Sequence, residues 1–184
     1  MGLVGIPVLV ECLLKYDRSD LVFAILNTDT FPGYGYMLKN GATTTWEHWD
    51  GKRSHIHNCY NGIGEWFYRG PAGILPDPVR GYTHPTLRPA IVGGLTWAQA
   101  RQETVAGTIQ SHWRIESGQL TWDVLIPVGA KSATVLVPTD HVESVQESGK
   151  PASESPGVKL VGKQGHYAVF EVASGRYTFS TPWP

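Results

Sequence analysis

Residues 70–85 read GPAGILPDPVRGYTHP. Four prolines and three glycines in sixteen residues work against any regular hydrogen-bonding pattern. Proline lacks an N–H and fixes φ, while glycine loses much entropy when it is ordered. Residues 73–85 therefore read as an irregular linker. The stretch divides the chain into residues 1–72 and 86–184, and the two sides have different hydrophobic periods.

The first side is helical in period. Pro7 suits a first turn, and Val8, Leu9, Cys12 and Leu13 then make one apolar face. Ser19 reads as an N-cap for a second helix through Asn27, with Leu21, Ala24, Ile25 and Leu26 inward. Residues 31–45 contain four Gly or Pro positions, Pro32, Gly33, Gly35 and Gly41, and read as loop. A third helix is predicted from about Asn58 through Arg69, with Ile63, Trp66 and Phe67 on its inner side and Cys59 a turn earlier. The second side alternates with a period of two. QLTWDVLI at 119–126 puts Leu120, Trp122, Val124 and Ile126 on one face, and residues 108–116 do the same with Ile109, Trp113 and Ile115. Ser117-Gly118 between them is a hairpin signal. Further strands are expected at 133–137, 141–146, 158–161, 167–172 and 176–180, with Trp97, Trp113 and Trp122 filling the core. The predicted fold class is α+β: about three helices, then an antiparallel β-sandwich.

Composition narrows the function classes. Apolar residues are 41% and charged residues 17%, which fits a globular chain rather than a disordered one. A formal charge of −1 offers no electrostatic footprint for nucleic acid or an anionic membrane. The opening MGLVGIPVLVECLLKY has no basic region and is broken by Pro7 and Glu11, so it reads as neither a secretory signal nor a membrane span. A cytoplasmic location is the default expectation. Two cysteines allow at most one disulfide, and Cys12 reads as a free buried thiol.

One stretch carries candidate chemistry. In ATTTWEHWDGKRSHIHN, residues 42–58, a single carboxylate, Glu47, stands between Trp46 and Trp49, with His48, His55 and His57 nearby. Rings of that size limit the solvation of a carboxylate, which is costly unless the group has partners. The bland reading is a carboxylate that accepts from backbone N–H groups of its own loop. A metal reading needs residues 55–59 extended, so that His55, His57 and Cys59 share one side and join His48 or Glu47 around zinc. The run leads into a predicted helix and has no known zinc spacing, so neither a metal nor any other cofactor is expected.

Three segments carry a family resemblance: GYMLKNGATTTWEHWDG, SHIHNCYNGIGEWFYRGPAGILPDP and FEVASGRYTFS. Together they resemble the carboxyl-terminal part of bacterial α-L-rhamnosidases, in order and over nearly the whole chain. A threonine run followed by Trp-Glu-x-Trp is specific, since it is no generic helix or turn pattern. These relatives are inverting glycoside hydrolases with an α/α six-fold barrel followed by a β-sandwich. The resemblance implies that Glu47 is the general base and that His57 contacts the sugar. Trp46, Trp49, Tyr36 and His55 are the further candidates for lining a rhamnoside site. The family has Asn where this chain has Ile56, so a polar neighbour of His57 is lost.

The same resemblance implies a general acid far upstream, in a stretch that these residues do not include. Twelve barrel helices of about 11 residues each need well over ~130 residues, and the helical part here has roughly 70. The chain is thus expected to hold the end of an incomplete barrel and to hydrolyse poorly by itself. The alternative is a self-sufficient small protein that uses the Glu47/His57 region for small-ligand binding or for non-hydrolytic acid–base chemistry. In that alternative the exposed barrel-helix faces need a new cover, from self-association or from a bound apolar ligand.

Overall fold

A computed structural model describes residues 4–184, apart from the side chain of Cys59. The chain forms two compact units: Met1–Phe67 with Val92–Gly94, and Tyr68–Ile91 with Leu95–Pro184.

The first unit is helical. Its elements are α1 (Gly5–Lys15), α2 (Ser19–Leu26), α3 (Tyr34–Lys39) and a 3-10 turn (Asn58–Ile63) that runs into α4 (Gly64–Arg69). The inner face of α1 is Ile6, Val10 and Leu14, with Leu13 packed at its edge. This corrects the predicted face, since Val8 and Cys12 are exposed. The helix is apolar nearly all round, so its own periodicity cannot choose a side. Close approach of the 3-10 turn decides it: a Cβ on Gly62 would lie 2.7 Å from Pro7 Cγ. Cys12 is accordingly a free, exposed thiol and not a buried one.

In α2 the innermost residue is Val22, while Leu21 is exposed. Ser19 is the first helical residue and not the cap. Its hydroxyl accepts a hydrogen bond of 3.1 Å from the Trp66 indole, because a buried indole N–H requires a partner. In α4, Trp66 points inward and Phe67, one step round the helix, is exposed. The segment read as loop contains α3, which buries Tyr34 and Met37 at a spacing of three. Gly33 and Gly35 permit this fold-back, since a Cβ at either would meet the Thr28 carbonyl oxygen at 2.2 or 2.8 Å.

The second unit is the β-sandwich. Its strands are β1 (Ile74–Asp77), β2 (Gly81–Leu87), β3 (Trp97–Thr104), β4 (Gly107–Glu116), β5 (Gln119–Ile126), β6 (Ala133–Pro138), β7 (Gln146–Glu147), β8 (Lys150–Pro151), β9 (Val158–Gln164), β10 (Tyr167–Val172) and β11 (Gly175–Pro182). One sheet has the order β1-β2-β6-β10-β9 and the other β3-β4-β5-β11-β7-β8. Pairing is antiparallel except between β2 and β6. The expected turn at Ser117-Gly118 is present as a two-residue connection with both residues at positive φ. Trp113, Trp122, Phe170 and Phe179 lie fully inside the shared core.

Three expectations fail here. The Pro/Gly-rich stretch 73–85 is not an irregular linker, because it contains β1 and most of β2, which pair antiparallel through Thr86 and Leu87 just beyond it. Asp77 organises their turn by accepting from the Arg80 and Val79 N–H groups at 2.7 and 2.9 Å and from Arg80 Nη2 at 3.0 Å. The Arg80 side chain, with those two amides, holds its carboxyl well below the usual carboxylate range. Residues 141–146 form a 3-10 turn at Val142–Ser144 before the short β7, in place of one strand. Trp97 is 63% exposed: in β3 the alternation turns Ala98 and Ala100 toward the core and Trp97 outward.

Ser111 joins the β-sheet to the start of the Pro/Gly segment. Its buried hydroxyl accepts from Trp122 Nε1 at 2.9 Å and donates to the Ala72 carbonyl at 2.6 Å, and Trp113 Nε1 donates to the Pro71 carbonyl at 2.7 Å. Ser111→Ala would leave a buried donor and a buried acceptor unpaired. We expect a loss of about 2–4 kcal/mol, read as a lower urea midpoint with unchanged m-value. A second prediction concerns alkali. Burial, with Tyr60 as a further cause, pushes the Tyr34 phenol above its ordinary range, and its hydroxyl donates to the Tyr60 carbonyl at 2.8 Å. A raised folded-state value stabilises fully below the unfolded value of about 10, and that contribution fades as pH climbs beyond it. Urea midpoints should therefore fall from pH ~9 to ~11 with a shallower slope in Tyr34→Phe.

Candidate functional site

The stretch from Thr44 to His57 folds back on itself. The His57 N–H donates to the Thr45 carbonyl at 3.0 Å, and the Glu47 N–H donates to the Ser54 carbonyl at 2.8 Å. Two threonine hydroxyls clamp the returning arm. Thr44 Oγ1 donates to the His55 carbonyl. Thr45 Oγ1 lies 2.5 Å from the His57 carbonyl and 2.9 Å from the Asn61 side-chain oxygen. A hydroxyl has one proton, so the shorter contact takes it, and turning the Asn61 amide would present an N–H to the remaining lone pair. Ser54 closes the arm locally, with its hydroxyl donating to the Ile56 carbonyl at 3.0 Å.

This fold-back brings Glu47 and His57 together. Glu47 Oε2 accepts from the Ser54 N–H at 3.3 Å and lies 4.0 Å from His57 Nδ1. That separation is within ion-pair range when the ring is protonated, and too long for a hydrogen bond. Each side chain is 30% exposed. Glu47 Oε1 has no protein partner among the described residues. Asp50, the nearest carboxylate in sequence, is engaged by Lys52 through both its N–H and its Nζ, each at 3.1 Å.

The other sequence candidates are placed differently. Trp46 is buried and stacks on the His55 ring at 4.9 Å, while His55 Nε2 donates to the Gly51 carbonyl at 2.8 Å. Trp49 packs on Tyr34 and Tyr60 at 5.2 and 4.3 Å. Tyr36 packs edge-on against Phe31 at 5.6 Å. These rings anchor the loop, and among the described residues none is hydrogen-bonded to Glu47 or His57. Ile56 is 81% exposed. The extended alignment required for a His55/His57/Cys59 shell stops at the 3-10 turn beginning at Asn58. The Cys59 side chain lies outside the described residues. Among those residues no group of three or more His, Cys, Asp or Glu could hold a metal ion. Thr44, Thr45, Ser54 and Asn61 were not singled out from sequence, although the threonine run beside Trp46 was the available signal.

Comparison with known proteins gives this geometry a context. Residues 1–70 match the bacterial α-L-rhamnosidase 6-hairpin glycosidase domain, and residues 73–152 match the bacterial α-L-rhamnosidase C-terminal domain. The chain belongs to the α-L-rhamnosidase family. An α-L-rhamnosidase of Streptomyces avermitilis is 32% identical over 190 aligned residues, covering 97% of this chain and 18% of that protein. One from Formosa agariphila is 29% identical and covers 99% and 21%. The solved structure of the S. avermitilis α-L-rhamnosidase complexed with L-rhamnose superposes with a TM-score of 0.86 at 31% identity, over 98% of this chain and 18% of that one. The α-L-rhamnosidase from Dictyoglomus thermophilum superposes with a TM-score of 0.84 at 29% identity, over 98% and 21%. The chain thus spans about a fifth of the length of these α-L-rhamnosidases and corresponds to a C-terminal part of them. The two family matches meet within the Pro/Gly-rich stretch, beside Ala72.

The clamp can be tested directly. Thr45→Val keeps the side-chain shape and removes the hydroxyl. One net hydrogen bond of about 1 kcal/mol corresponds to roughly fivefold faster amide exchange at Glu47 and His57. Unchanged exchange would show that the hydroxyl does not hold the loop.

Proposed function

We propose that this chain supplies the general base of an α-L-rhamnosidase-type inverting hydrolysis, and that Glu47 is that base. The observation that carries the reading is the closeness of Glu47 and His57 on a loop whose two arms are clamped by Thr44 and Thr45. Ser54 and His57 occupy the Oε2 side of the carboxylate and leave Oε1 for a water molecule. An ionised carboxylate so held can take a proton from that water as it attacks the anomeric carbon. His57 stands where it can contact the sugar of a terminal α-L-rhamnoside. An inverting mechanism also needs a protonated carboxyl about 6.5–9.5 Å away, and family resemblance assigns that group to a segment upstream of these residues.

Grafting residues 4–184 in place of the matching fifth of the S. avermitilis enzyme provides the test. The graft should release rhamnose from an aryl α-L-rhamnoside as the inverted anomer, seen by NMR. Glu47→Gln in that graft should lower kcat at least about a hundredfold. A graft whose activity is indifferent to Glu47→Gln refutes the assignment. The isolated chain should hydrolyse the same substrate only marginally, and brisk hydrolysis abolished by Glu47→Gln would refute the missing acid.

A second reading is favoured by the outer face of α1. Val4, Val8, Cys12 and Tyr16 recur at a spacing of four and are all exposed, an apolar stripe that gains free energy when covered. In this reading the chain is a self-sufficient small protein that uses Glu47 and His57 on a small ligand and covers the stripe by self-association. Light scattering separates the two: a discrete, soluble dimer supports the second reading, and heterogeneous aggregation supports the first.

A further inference from the structure

The sandwich contains a cleft of about 580 Å³ that the Glu47 site does not use. It forms where several chain segments converge: the residues after β2, the end of β6 with the loop that follows, the β9–β10 turn and the end of β11. The floor is apolar. Pro89 and Pro138 are buried there, and the half-buried rings of Tyr167 and Trp183 flank them. The rim is polar, formed by Asp140, His141 and His166. A volume of a few hundred Å³ with an apolar lining and a few convergent polar groups is the common form of a small-ligand site.

The rim is held in place. His166 donates from Nδ1 to Asp140 Oδ1 at 2.6 Å, and the Thr139 N–H donates to the His166 carbonyl at 2.8 Å. Lys163 Nζ donates to the Asp140 carbonyl at 2.7 Å. Asp140 Oδ2 has no protein partner among the described residues. The His166 hydrogen bond, with Lys163 and His141 nearby, holds the Asp140 carboxyl below its usual range, so it stays an ionised acceptor.

This pattern matches one ligand chemistry. A pyranose ring has an apolar C–H face that lies on an aromatic ring, and an edge of adjacent hydroxyls that both donate and accept. We propose that the cleft is a carbohydrate-binding site, in which Trp183 and Tyr167 take the C–H face of a pyranose and Asp140 and His166 bind its adjacent hydroxyls. A carboxylate with a free oxygen accepts from one hydroxyl, and the imidazole nitrogen opposite the Asp140 bond serves the next. A proline-rich peptide would also find aromatic walls, but it has no donors for an ionised carboxylate along its proline faces. The inference rests on the cleft alone and shares no residue with the catalytic reading.

The test is a titration of the ¹⁵N-labelled full chain with the methyl glycosides of L-rhamnose, D-glucose and D-galactose at millimolar concentrations. The Trp183 indole signal is identified by its loss in Trp183→Phe. At least one glycoside should shift that signal and the His166 amide saturably, while the Glu47 and His57 amides stay in place. Asp140→Asn and His166→Ala, both on the exposed rim, should each weaken binding about tenfold, the factor expected for a hydrogen bond involving a charged group. Their amide spectra report that the fold is kept. Three results would overturn the proposal: no saturable shift at Trp183, shifts confined to the Glu47 loop, or saturation by a proline-rich peptide but by no sugar.

Discussion

The sandwich depends on one buried hydroxyl. Ser111 lies in the interior of β4, where a polar atom without partners would be costly. It has two, the indole of Trp122 and the carbonyl of Ala72. The link fixes a chain segment that has no side chain suited to fixing itself, since Gly70, Pro71, Ala72 and Gly73 offer almost nothing to pack. Once Pro71 and Ala72 are held, the residues on either side of them pair with the segment after β2. The Arg88 N–H donates to the Gly73 carbonyl at 2.8 Å, and the Ala90 N–H donates to the Gly70 carbonyl at 3.0 Å. At Gly73, with φ at +71°, a Cβ would lie 2.3 Å from the Arg88 backbone. Glycine here serves close approach as well as backbone freedom.

That arrangement explains why the sequence misleads in this stretch and not in the strands that follow. In β4 and β5 every second residue is large and apolar, and the alternation is visible without any partner. β1 is the edge strand and β2 its inner neighbour, and their prolines, Pro76 and Pro85, fall outside the paired positions of the ladder, where a sheet tolerates a missing N–H. Their pairing comes from Asp77 closing the turn, and a sequence pattern cannot show that closure. The inner face of α1 was illegible for the opposite reason. Apolar residues surround the helix, so only the glycine at 62 and its close approach to Pro7 select the side. The two tryptophans that fill the core alternate with polar residues, while Trp97 falls on the outward phase of its strand.

The loop around Glu47 shows a similar division. Glu47 and His57 are visible in the motif, and their proximity follows from the fold-back between residues 45 and 57. The side chains that clamp this fold-back are the hydroxyls of Thr44 and Thr45, with Ser54 closing the returning arm locally. Such residues are common in any loop and carry no signal until their acceptors are known. The large aromatics attracted attention as walls for a sugar, yet their faces are spent on one another and on His55. Anchoring of this kind limits how far the loop around its carboxylate can shift.

The outward indole of Trp97 has an optical consequence. Of the seven tryptophans, Trp46, Trp66, Trp113 and Trp122 are buried, Trp49 and Trp183 are partly covered, and only Trp97 is freely exposed. An aqueous quencher such as iodide would therefore extinguish chiefly the red edge of the emission from the native chain. Unfolding would open the remaining indoles to the same quencher. The accessible fraction of the emission would then measure the loss of native packing without any attached label, with Trp97 marking its lower bound.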